Sequence, residues 1–149
     1  MLGELNEMQI NNLLSSQVVG RIACTDGKTP YIVPVTFVFD GQNIYGQTRK
    51  GMKLNILRKN PEVCFEVDAM TDLANWQSVL VTGKFEELAG DEADYKRDYL
   101  FTRVMPMMTS SCVHCHEHSV TSEIDDHNRC KPVMYRINIR EKTGRFERK

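Results

Sequence analysis

The sequence predicts a mainly-β (α+β) domain, a small antiparallel barrel of about six strands with two or three flanking helices. Three observations lead there. Strand-like segments rich in β-branched and aromatic residues follow one another closely. Two of the joints are Asp-Gly pairs, Asp26-Gly27 and Asp40-Gly41, which signal hairpins. Only one helical segment is placed to act as a crossover, too few for a doubly wound parallel sheet. No internal repeat, low-complexity tract or Pro/Gly/Ser linker divides the chain, so residues 1–149 read as one domain.

The elements come in order. "LNEMQINNLLSSQ" sets Leu5, Met8, Ile10, Leu13 and Leu14 near one face of a short opening helix. "GRIACT" is a strand ending at the first Asp-Gly turn, and "YIVPVTFVFD" is a second ending at the next. Pro34 interrupts that second strand. It cannot donate a ladder hydrogen bond, so it implies an edge, a bulge, or a place where something other than a strand lies alongside. "NIYGQT" is the third strand. "KGMKLNILRKNP" is a helix with Met52, Leu54, Ile56 and Leu57 as its apolar contacts, stopped by Asn60-Pro61. "EVCFEVDAM" and "WQSVLVTGKFEEL" are strands. Cys24 and Cys64 fall in strand patterns and are expected to be buried, inert thiols. "GDEADYKRDYLFTRVM" is a helix with an acidic first turn and Arg103 near its end, matching the helix dipole. Positions 106–131 show no clear period, and "PVMYRINIREKTG" alternates as the closing strand.

Composition removes several function classes. The hydrophobic share of 41% and charged share of 26% suit a globular chain with a proper core. A net charge of −1 offers no electrostatic case for nucleic acid or an anionic membrane. No apolar run approaches the roughly 20 residues of a membrane span. The acidic, amphipathic start "MLGELNEMQI" lacks the features of a signal peptide, so a cytoplasmic location is expected. Five cysteines, an odd number, favour reduced thiols over a disulfide framework.

The stretch "GRIAC…PYIVPVTFVFDGQNIYGQTRKGMKLNILRKNPEVCFEVD" resembles the pyridoxamine-phosphate-oxidase-like flavin proteins, the FMN-binding split barrels. Within them it is most similar to the nitroimidazole-resistance reductase subgroup. The strand P-x-x-V-P-V-x-F, the Asp-Gly turn, the G-x-K-L helix start and "NPEVCFEVD" occur in the family's order and spacing, and the likeness covers residues 5 to 100 plus the closing strand. The resemblance implies a six-stranded split barrel, a homodimer, and FMN bound in two clefts at the dimer interface. It places Val33, Pro34, Val35 and Thr36 along the flavin ring. Gln47 and Thr48 would hydrogen-bond the ribityl chain or ring edge, and Lys53 would meet the 5′-phosphate. Trp76, Gln77 and Ser78 would reach across from the other subunit.

Elementary chemistry agrees with these roles. A dianionic phosphate is favoured where a helix begins, beside free amides and a cation. "RKGMK" offers Arg49, Lys50 and Lys53, and Gly51 allows close backbone approach. One departure matters. Pyridoxamine-phosphate oxidases proper carry Ser-Arg-Lys at the phosphate turn, where this chain has Gly51, Met52 and Lys53. Arg21, Arg49 or Lys50 would have to replace the missing arginine. A basic C-terminal substrate motif is also absent, which weakens a vitamin B6 assignment more than FMN binding.

All four histidines and three of the five cysteines lie between 112 and 130. Cys112, Cys115, His127 and Cys130 form C-x2-C, eleven residues, H-x2-C, a spacing that resembles a Cys3His zinc site. His114, His116 and His118 are surplus to it. A lid or rim over the flavin cleft, with no metal, is the preferred reading. The expected function is an FMN-dependent oxidoreductase reducing a nitroaromatic or other small acceptor, with NAD(P)H as candidate donor despite the lack of a G-x-G-x-x-G fingerprint. The alternatives are a non-catalytic flavin-binding or storage protein and a haem-binding split barrel.

Overall fold

The computed structural model describes residues 1–107 and 132–149. Seven strands and three α-helices run in the order β1 (Leu2–Glu4), α1 (Glu7–Ser16), β2 (Val19–Thr25), β3 (Pro30–Phe39), β4 (Ile44–Thr48), α2 (Met52–Lys59), β5 (Glu62–Asp72), β6 (Asn75–Glu87), α3 (Gly90–Val104) and β7 (Val133–Glu147). A 3₁₀ turn, Met105–Met107, follows α3. The Cys112–Cys130 segment lies outside the described residues.

Every strand pairing among the described residues is antiparallel. The sheet order is β1-β7-β4-β3-β2-β5-β6, and β6 pairs with β7 as well, which closes β7, β4, β3, β2, β5 and β6 into a ring. This is the six-strand split-barrel arrangement the sequence implies. The short β1, absent from the sequence reading, adds to the end of β7 through Leu2↔Glu147.

Local chemistry sets the joints. The Asp26 carboxylate accepts from the Lys28 and Thr29 amides at 2.8 Å, with Gly27 at φ +95°. The Asp40 carboxylate accepts from the Gln42 and Asn43 amides at 2.8 and 2.7 Å, with Gly41 at φ +96°. Such Asx turns are what Asp-Gly pairs favour. Helix α1 opens with a capping box: the Asn6 side chain accepts from Gln9 N–H, and the Gln9 side chain accepts from Asn6 N–H, both at 2.9 Å.

Inside the ring, Ile22, Phe37, Ile44, Phe65, Val67, Val79, Val81 and Ile137 form the core, joined by Leu13 and Leu14 of α1 and Leu54 and Leu57 of α2. A second cluster packs α3, through Ala93, Leu100 and Val104, on Val38, Tyr45 and Met134. Three apolar expectations fail. Met8 and Met52 are exposed, at 68% and 65%, each beyond the arc its helix buries. Cys64 is exposed, because Val63, Phe65 and Val67 take the inward phase of β5 and leave Cys64 on the outer face, opposite Ala23.

Candidate functional site

The ring is incomplete at one seam, and the seam forms the site. Strand β3 pairs with β2 along its length from Pro30 to Thr36, but with β4 only at Phe37–Phe39. Beyond Gly46, β4 stays bonded to β7, through Gln47↔Met134 and Thr48↔Val133, and leaves β3. Carried further, the β3–β4 register would set Gln47 opposite Thr36, and there the strands part.

Pro34 lies on the side of β3 facing this gap. The Phe37 N–H donates to Val18 O at 3.0 Å, toward β2. Alternate residues bond to opposite neighbours, so Val35 and Val33 also point their amides at β2, while position 34 points its nitrogen into the gap. The residue without an N–H therefore falls where no strand is bound. Of the three structures Pro34 allowed, an open edge is the one observed.

A cavity of about 620 Å³ fills the gap, within the range of small-molecule sites. Its walls include seven of the ten predicted cofactor residues: Val33, Pro34, Val35, Thr36, Gln47, Thr48 and Lys53. Val35 is buried and Val33 packs against the core, so the β3 wall is apolar and firmly backed. Gln47 is half-buried, and its Oε1 is buried with no hydrogen-bond partner among the described residues. An orphaned polar atom in a cavity wall marks a place for a ligand donor. The Thr48 hydroxyl already donates to Arg49 O at 3.2 Å, which leaves it only as an acceptor.

The other end of the slot favours an anion. Helix α2 begins at Gly51 with no side-chain cap, and its first intrahelical bond runs from Asn55 N–H to Gly51 O. The amides of Met52, Lys53 and Leu54 thus have no intrahelical acceptor. A Cβ built on Gly51 meets nothing within 4 Å, so the backbone there borders open space. Arg49, Lys50 and Lys53 line the cavity, and no carboxylate among the described residues does. Lys53 is half-buried with no ion pair among the described residues, and burial holds its ammonium below the usual lysine pKa. Only the nearby Cys24 thiol acts the other way. A dianion would reverse this penalty, so the donor set fits a phosphate.

Arg21 is ruled out as the substitute for the missing phosphate arginine. Its guanidinium pairs with Asp68 at 2.7 Å and Glu66 at 3.5 Å and does not line the cavity. Trp76, Gln77 and Ser78 are half-buried on β6 and do not line this chain's own cavity. The Trp76 indole N–H donates to Glu147 at 3.1 Å, and the Ser78 hydroxyl donates to Glu66 at 3.2 Å. Tyr31, Val19 and Met52 complete the walls, and the sequence reading passed over all three as site residues. Tyr31 could have been found, since it precedes Val33 and Val35 at strand spacing and shares their face. Among the described residues no group of three His, Cys, Asp or Glu side chains could hold a metal ion. No described helix is long and apolar enough to cross a membrane.

An antiparallel six-strand ring, split at one seam to leave an apolar wall and a cationic helix start lining one cavity, defines the class of split barrels. Comparison with known proteins then identifies the family. A family model described as pyridoxamine 5′-phosphate oxidase matches residues 6–146, and the chain belongs to that family. An uncharacterised protein of Rhizobium meliloti (strain 1021) is 30% identical over 84 residues, a stretch covering 56% of this chain and 56% of that protein. Among solved structures, an FAD-binding protein of Mesorhizobium loti superimposes with a TM-score of 0.79 at 25% identity, covering 100% of this chain and 98% of that one. A candidate 5-nitroimidazole antibiotic resistance protein of Bacteroides thetaiotaomicron VPI-5482 shares the fold, with a TM-score of 0.69 at 15% identity over 98% of this chain and 87% of that one.

Proposed function

We propose that this chain binds flavin mononucleotide in the slot between β3 and the start of α2, and acts as an oxidoreductase toward a small acceptor, with nitroaromatic compounds as the candidate class. The observation that carries the reading is the two-ended chemistry of one cavity: Val33, Pro34 and Val35 at an open strand edge, and Lys53, without an ion pair among the described residues, at an uncapped helix start. The 5′-phosphate is assigned to Lys53 and the first amides of α2, with Arg49 and Lys50 adding field at the rim. The ring is assigned to the wall of residues 33–36, and the Gln47 amide to its edge or the ribityl chain. The Mesorhizobium loti relative, an FAD-binding protein, supports a flavin as the ligand class. The choice of the mononucleotide rests on the family resemblance and on one cationic helix start lining the cavity.

The bound flavin supplies the hydride and electron transfer. The chain's own work is to hold the phosphate, back one ring face with valines, and leave the other face open to acceptor and donor. A second copy of the chain is assigned to close the slot with Trp76, Gln77 and Ser78. Because the Trp76 N–H and Ser78 hydroxyl are engaged within their own chain, they would offer a ring face and oxygen lone pairs.

The test is anaerobic oxidation of NAD(P)H by the FMN-loaded protein with a nitroaromatic acceptor. Acceptor-dependent turnover above that of free FMN at equal concentration is expected. Equal rates would reduce the protein to a flavin carrier.

A further inference from the structure

We infer that Tyr31 is a further binding residue of the slot, its phenol donating a hydrogen bond to the phosphate end of the bound nucleotide; this rests on the flavin reading above. Tyr31 lines the same cavity as Lys53 and shares a strand face with Val33 and Val35. It sits at the end of the slot away from Gln47, since Gln47 leaves the sheet opposite Thr36, five positions further along β3. Its cross-strand partner is Cys24. Cys24 is buried behind this wall, and Tyr31 and Lys53 both line the cavity in front of it. The Tyr31 ring packs partly against the core, so its hydroxyl is carried on a stiff stem. That hydroxyl makes no hydrogen bond among the described residues.

Arg21 is committed to Asp68 and Glu66 and gives this end no donor. Arg49 and Lys50 are exposed at the rim, where water screens them. A half-buried phenol gives the phosphate a donor that adds no second charge beside an already desolvated Lys53.

The experiment is a fluorescence titration of the wild type and Tyr31→Phe with FMN and with riboflavin, which has the same ring and ribityl chain but no phosphate. The phenylalanine keeps the packed ring and removes only the hydroxyl. FMN affinity should fall about tenfold in the variant, the usual effect of losing a hydrogen bond to a charged group. Riboflavin affinity should stay unchanged. Unchanged FMN affinity, or an equal loss for both ligands, overturns the Tyr31 assignment while leaving flavin binding intact. A wild type that takes up neither ligand overturns the flavin reading and this inference together.

Discussion

Lys53 pits stability against binding within one side chain. Burial lowers its pKa, so between the folded and unfolded values the unfolded chain binds more protons. Stability therefore rises with pH through that window, and at neutral pH the charged ammonium is a penalty on the ligand-free fold. A docked phosphate turns the same charge into a favourable contact. Lys53→Met should raise the melting temperature of the ligand-free protein and weaken FMN binding by about 1.5–3 kcal/mol. Thermal melts paired with flavin titration check both. A lower melting temperature with unchanged affinity would make Lys53 an ordinary structural lysine. The position of this residue at a helix start was legible in the sequence, because Gly51 and Lys53 form a local pattern. Its partial burial was not, since that depends on β2 lying behind it.

At the scale of elements, the hairpin joints respond to acid. Burial works to raise the Asp40 pKa, but the Asn43 and Gln42 amides, with Tyr45 and Lys96, outweigh it and hold the carboxyl below its usual value. A carboxyl depressed by folding contributes stability above its unfolded pKa, and that contribution is lost as pH falls through the folded value. Asp40→Ala should cost roughly 1 kcal/mol near neutral pH, a modest figure because solvent screens the partly exposed group. Urea denaturation should show the gap to wild type narrowing below about pH 4. A gap that stays constant with pH would remove the carboxylate from the turn's energetics. These turns were readable because Asp-Gly acts over four residues. Strand β1 was not: three residues, Leu2–Glu4, owe their strand form to Arg145–Glu147, and nothing nearby in the sequence announces it. The phase of β5 was readable from Val63, Phe65 and Val67, and it should have put Cys64 outside.

For the molecule as a whole, the sequence announced a break at Pro34 but not its depth. The slot exists because Gln47 and Thr48 keep their bonds to Met134 and Val133 while parting from β3, a consequence of register between strands about ninety residues apart. Buried Arg97 ties this region down in a way no local pattern shows, donating to Asp94 at 2.9 Å and to Pro132 O at 3.4 Å, at the foot of β7. The contribution proposed for Trp76, Gln77 and Ser78 requires a second copy of the chain. One measurement therefore bears on the whole account: sedimentation of the purified protein with excess FMN, followed at the flavin absorbance. The account predicts flavin travelling at one per chain with a species of twice the 17.2 kDa chain mass. Flavin that stays with the slow, free-ligand boundary would contradict the account.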